Sequence, residues 1–206
     1  MMRVALILLS ITLVTFLTMT STALAIDKDP PKFSVGAAAS YDGHQTLDKI
    51  TIAAVPYVSD EQLKTAFGKA DPPRYGVLPV LLVLENGTGK AIRLDLKAEL
   101  VTADGHHVEA MEPDDVMHLG PAPKRPRMAS LPLPIPLPSR VKKGPLNTWE
   151  IQGRAFAPKL VPPGESASGF FYFYLDREPE QRLYLTGIRD ATTGKDFFYF
   201  EVPLAK

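Results

Sequence analysis

Four histidines are the first candidates for chemistry in this 206-residue chain: His44, His106, His107 and His118. His106 and His107 follow the turn pair Asp104-Gly105, and Glu109, Asp114 and Asp115 come close behind. Imidazoles and carboxylates in one short span are the ligand types of a metal-assisted hydrolase. The spacing argues against that use. Neighbouring residues on a strand point to opposite faces, so the histidine pair chelates poorly, and no spacing matches a zinc motif. Exposed turn histidines are the simpler expectation, with no catalytic residue, metal ligand or cofactor assigned. Gly164-Glu165-Ser166-Ala167-Ser168-Gly169 resembles a nucleophile elbow but has serine where G-x-S-x-G requires its second glycine, and no helix follows it. Asn86-Gly87-Thr88-Gly89 lacks the Lys-Ser/Thr of a phosphate-binding loop. Asn86-Gly87-Thr88 is formally a glycosylation sequon, and it reads as a turn.

Two stretches offer binding rather than catalysis. Phe170–Tyr174 is aromatic throughout, with Phe170, Tyr172 and Tyr174 on one strand face and Phe171 and Phe173 on the other. One face belongs in a core, leaving the tyrosines as rim residues or, with Tyr172 and Tyr174 exposed, as a platform on which a sugar ring could stack. The second stretch is 121–145, with eight prolines in 25 residues, including Leu-Pro-Leu-Pro-Ile-Pro-Leu-Pro from Leu131. Proline at every second position excludes helix and a central strand, so polyproline II is expected. This segment carries Lys124, Arg125, Arg127, Arg140, Lys142 and Lys143 and no acid. The preceding Ala98–Gly120 carries Glu99, Asp104, Glu109, Glu112, Asp114 and Asp115 and neither Lys nor Arg. The proline-rich segment is thus a solvated loop, an arm folded back on the domain, or a recognition element for an envelope protein, an acidic polysaccharide or anionic headgroups.

Bulk composition narrows the classes. Lys+Arg and Asp+Glu both number 23, so the formal net charge is zero. A general nucleic-acid binder needs a basic excess, so nucleic acid is not an expected partner. There is no cysteine, which removes disulfides, thiol nucleophiles and thiolate metal sites. At the N-terminus Arg3 precedes an apolar run from Val4 to about Met19, and Ala23-Leu24-Ala25 has the small-x-small pattern of a cleavage site. Residues 1–25 are therefore expected to be a signal peptide cut after Ala25. The alternative is an uncleaved anchor, which would be the chain's membrane contact. Export to the periplasm or envelope of a bacterium is expected. Loss of Arg3 leaves 22 bases against 23 acids, a net of −1.

The elements that would position these residues read as strands. Lys49–Val55 is rich in β-branched residues, and Val80–Leu84 is a continuous apolar run suited to a strand covered on both faces. Ile92, Leu94, Leu96, Ala98 and Leu100 alternate with Arg93, Asp95, Lys97 and Glu99, which predicts a half-buried strand. Further strands are expected at His107–Met111, Trp149–Ala157, Ser168–Leu175, Arg182–Ile188 and Asp196–Val202, with turns at Asp104-Gly105, Pro162-Pro163-Gly164 and Thr193-Gly194. One helix is predicted over Asp60–Phe67, where Ser59 and Gln62 make a capping box and Gly68 follows, and one helical turn at Pro113–Met117.

The run Leu78-Pro79-Val80-Leu81-Leu82-Val83-Leu84-Glu85-Asn86-Gly87-Thr88 with Asp104-Gly105, and Leu160-Val161-Pro162-Pro163-Gly164-Glu165-Ser166 with Gly169-Phe170-Phe171-Tyr172-Phe173, resembles immunoglobulin-like domains of exported bacterial proteins of unknown function. The resemblance covers roughly residues 48–203. It implies strands and turns and brings no catalytic residues; the proline-rich insert is a departure from it. Together these readings predict an all-β chain with one antiparallel immunoglobulin-like β-sandwich at 48–206, preceded by an extension at 26–47. The function expected of it is a non-catalytic envelope binding or interaction module. A carbohydrate-binding module using the late aromatics and a metal-assisted hydrolase around His106 and His107 are the alternatives.

Overall fold

A computed structural model describes residues 32–119 and 144–204. The expected signal segment with Ala23 and Ala25, and the basic side chains of Lys124, Arg125, Arg127, Arg140, Lys142 and Lys143, lie outside the described residues. Nine strands occur among the described residues: β1 (His44–Leu47), β2 (Ile50–Pro56), β3 (Leu78–Asn86), β4 (Ile92–Val101), β5 (His107–Glu109), β6 (Leu160–Val161), β7 (Ser166–Phe173), β8 (Arg182–Asp190) and β9 (Phe200–Pro203). They form two antiparallel sheets, one ordered β1-β2-β3-β7 and the other β5-β4-β8-β9, with β6 also paired to β4. The chain is therefore mainly β, as the alternating pattern predicts.

Alternation explains the layers. In β3, Leu78, Val80, Leu82 and Leu84 face the second sheet and meet Leu94, Leu100, Leu185 and Phe200 in a common core. The intervening Leu81 and Val83 face the opposite way, into a second core. A run with no polar residue between its apolar ones needs cover on both sides. That cover is α1 (Asp60–Phe67), α2 (Pro113–His118) and α3 (Trp149–Gly153), which contribute Leu63, Ala66, Phe67, Val116 and Ile151. The helix α1 starts as its sequence predicts: Ser59 Oγ accepts the Gln62 N–H, and Gln62 reaches back to the Ser59 N–H. β4 behaves differently from β3. Its even-numbered residues enter the first core, whereas Arg93, Asp95 and Lys97 face water.

Several expectations change. Trp149–Ala157 is not a strand; α3 occupies its first half, and only Ala155 then bridges β7, parallel to Phe170. The last strand is shorter than Asp196–Val202 and begins at Phe200. β5 ends at Glu109, because the chain then crosses between the sheets and Met111 bridges Tyr172 on β7. The described part of the 26–47 stretch is folded in: Phe33, Val35, Ala38 and Tyr41 pack on the second core, and β1 is an edge strand of its sheet. Ala38 N–H donates to Glu85 Oε1 at 2.8 Å.

The turn at Asn86–Gly89 is a corner where the chain leaves one sheet for the other, since β3 and β4 belong to different sheets. Asn86 is buried. Its Nδ2 donates to the carbonyls of Lys90, Val161 and Pro162 at 2.6, 2.9 and 3.0 Å, and its Oδ1 accepts from Thr88 N–H and Oγ1. Its main chain joins the next turn, through Asn86 N–H to Glu165 C=O and Gly164 N–H to Asn86 C=O. An amide so enclosed is not presented for glycosylation. A second local device lies on β4, where Asp95 and Leu96 together oppose the single Gly187 of β8. Gly187 has φ +87°, and a Cβ there would fall 2.0 Å from the Asp95 carbonyl oxygen. At the helical layer, Gly144 sits directly against the Met117 and Leu119 carbonyls, so the two ends of the 120–143 span meet.

Asn86→Ala removes the three side-chain hydrogen bonds donated to the Lys90, Val161 and Pro162 carbonyls. We expect a loss of about 3 kcal/mol, from roughly 1 kcal/mol for each hydrogen bond left unmade, read as a lower urea midpoint with an unchanged slope.

Candidate functional site

The two long sides of the sheet pair are treated differently. On one side β1 lies by β9, and Gln45 Oε1 accepts the Glu201 N–H at 2.9 Å. On the other, β7 and β4 are linked by two crossing chain segments. The first follows β5: Ala110 N–H donates to Ala98 C=O at 3.0 Å, and Met111 N–H to Tyr172 C=O at 2.7 Å. The second follows α3: Phe156 N–H donates to Phe170 C=O at 3.0 Å, and Leu94 N–H to Lys159 C=O at 2.8 Å. Gly169 permits this second crossing, because a Cβ there would lie 2.5 Å from the Phe156 Cα.

A window of about 420 Å³ remains between the crossings. The Phe156 and Phe171 rings line it, stacked at 5.5 Å between centroids and 15° between planes. Leu94, Leu96 and Ala98 of β4 add an apolar wall. Charge lies on its lining at Lys97, Glu99, Glu109, Glu112 and Lys159. Its size falls in the roughly 300–1,000 Å³ range of small-ligand sites. None of these residues was singled out from the sequence for this arrangement, because Lys97, Lys159 and Phe171 are brought together only by the crossings.

The residues that were singled out fall elsewhere. His106 and His107 stand exposed at the β4–β5 turn, His106 Nε2 3.4 Å from Asp104 and His107 Nδ1 2.6 Å from Glu99 Oε2. Among the described residues no group of three or more His, Asp or Glu side chains is arranged to hold a metal. Tyr172 leaves the proposed platform: it is fully buried, and its hydroxyl donates to Ile151 C=O at 2.8 Å. Burial also raises its pKa, and pushes that of Tyr57 up to about 12. The reason is that β7 has core on both faces, Phe173 on one side and Phe170 and Tyr172 on the other. Tyr174, past the end of β7, is 61% exposed. The late aromatics Tyr184 and Tyr199 stack on each other at 5.2 Å, and Tyr199 and Phe198 remain exposed.

A second recess of about 390 Å³ lies among the Asp48-Lys49 turn, Thr88 and Lys195–Phe198. Asp190, Lys90 and Asp196 of its lining are engaged in structure, Asp196 with Arg189. Asp190 accepts the N–H groups of Thr192 and Thr193 at 2.8 Å each and meets Lys90 Nζ at 3.3 Å. Those two main-chain bonds, aided by Lys90, lower its pKa to about 2. Among the described residues no helix is long and apolar enough to cross a membrane. No protein-family model matches the chain, and no curated protein matches it either.

Two outcomes follow from these placements. Tyr172→Ala should cost about 3–5 kcal/mol as a buried aromatic truncation, and Tyr174→Ala less than about 0.5, both read from denaturant midpoints. The Asp190 contribution is present above the ordinary carboxylate range and is lost as pH falls through about 2. A melting series from pH 5 to about 2 should therefore fall less steeply for Asp190→Asn than for the native chain.

Proposed function

We propose that the chain is an exported, non-catalytic binding module of a bacterial cell envelope, built as an immunoglobulin-like sandwich and holding its partner at the window between the sheets. The observation that carries this reading is the window itself. Elsewhere on that side the sheets are joined by main-chain hydrogen bonds through Ala110, Met111, Phe156 and Lys159, and among the described residues a recess with an aromatic pair and a charged lining opens here between them. The immunoglobulin-like assignment is supported by strand order, β2-β3-β7 against β5-β4-β8-β9, which matches the A-B-E and C′-C-F-G arrangement of such domains. Export is supported by Arg3, the apolar run behind it and Ala23-Leu24-Ala25, and the lack of cysteine in an exported chain suits a bacterial envelope.

The test is retention of the purified chain on peptidoglycan, on acidic glycans and on immobilised envelope proteins. Ala110, partly buried at the window, can be enlarged by Ala110→Trp. The expected result is retention on one of the three fractions, reduced at least about tenfold by the filled window while the melting temperature holds. Equal retention of the native chain and Ala110→Trp would sink the assignment of the site.

A further inference from the structure

The wall of the window is an incomplete strand ladder. β8 pairs with β4 along nearly its whole length, from Ile92 to Val101. The other side of β4 has partners only toward its ends: β6 at Ile92 and Arg93, and β5 at Glu99, Leu100 and Val101. The two crossing segments extend this by one bond each, at the Leu94 N–H and the Ala98 C=O. Over Asp95–Lys97, between those bonds, no strand pairs with this side of β4 among the described residues. A free strand edge beside an open recess is a template for an added strand.

The flanking strands define what fits. β5 and β6 are both antiparallel to β4 and so run in the same direction as each other. A segment laid antiparallel in the gap would continue the line of β5 and point toward β6. From Leu94 to Ala98 the edge measures about 13 Å at roughly 3.3 Å per residue, room for about four residues. Alternate side chains of such a segment would turn inward, toward Phe156 and Phe171. The charges of the lining are unevenly spread along the gap. Glu99 and Glu109 lie at the β5 end, with Glu112 just past the crossing that follows β5, Lys97 lies in the gap itself, and Lys159, whose carbonyl holds the Leu94 N–H, lies at the β6 end, so the β5 end carries the net negative charge. In the antiparallel sense the first residue of the segment meets the acids and the last meets the lysine.

We propose that the window binds an extended peptide segment of a partner protein by strand addition to β4, with a basic residue at the segment's N-terminal end and an acidic residue or terminal carboxylate at its C-terminal end. This rests on the reading of the window as the binding site and names the ligand class and its direction.

The experiment uses the whole chain and fluorescein-labelled Lys-Val-Thr-Val-Glu, followed by anisotropy, with Glu-Val-Thr-Val-Lys as the reversed control. Two further probes carry N-methyl groups on alternate residues, one in each phase. Saturable binding is expected for the first peptide and about fivefold weaker binding for the reversed one, the scale of one or two exposed charge pairs. Lys159→Glu should invert that order. One N-methylated phase should lose binding and the other keep it, because only one set of N–H groups faces β4. Equal effects of the two phases, or an order that Lys159→Glu leaves unchanged, would overturn strand addition. Binding of an acidic glycan, abolished by Ala110→Trp, with no peptide bound would overturn the peptide and leave the window as the site. Retention insensitive to Ala110→Trp on every envelope fraction would overturn the window as well.

Discussion

The buried amide of Asn86 is the contact on which the arrangement of the two sheets depends. The chain must turn there from β3 in one sheet to β4 in the other, and a corner inside a core strands several main-chain carbonyls away from water. One side chain with two donors and one acceptor meets most of that demand. It binds the carbonyls of Lys90, Val161 and Pro162 while its own oxygen is held by Thr88. Because Val161 belongs to β6, the same amide also fixes where the late crossing segment joins β4. The position of Lys159, and with it one end of the window, therefore follows from a residue at the far end of β3.

The strands whose environment is set by their own periodicity were legible. β4 shows its two faces in nine consecutive residues, and the Asp60–Phe67 helix carries both halves of its capping box. The apolar run in β3 called for cover on both sides, and it has it. Illegible were the places where tertiary contact outweighs local preference. Trp149–Ala157 has the composition of a strand, yet its first five residues form a helix because the exposed side of β7 needs Ile151 and the chain must then pass Gly169 closely. Tyr172 obeys its alternation, but nothing in Phe170–Tyr174 says that a third layer waits on the tyrosine face.

The site was harder to read than the fold for a related reason. A catalytic or metal motif condenses its chemistry into a short stretch, and a window between sheets does not. Glu99, Lys159 and Phe171 come from three separate segments and carry no mutual spacing. The one signal in the sequence is Gly169, a residue without a side chain in an aromatic strand, which marks close approach of another backbone. The long excess of strands over helices set the class of the fold; the gap in the ladder came from where two short crossings happen to make their hydrogen bonds.

The meeting of Gly144 with the Met117 and Leu119 carbonyls has a bearing on length as well as on shape. Residues on either side of the 120–143 span are already neighbours through the packing of α2 and α3. The packing of both cores described above is made by residues outside that span. Loop-closure cost rises only as the logarithm of length, so lengthening or shortening an insertion at such a graft point changes stability little. A change of length between those two neighbouring ends leaves in place the described residues that both sheets require.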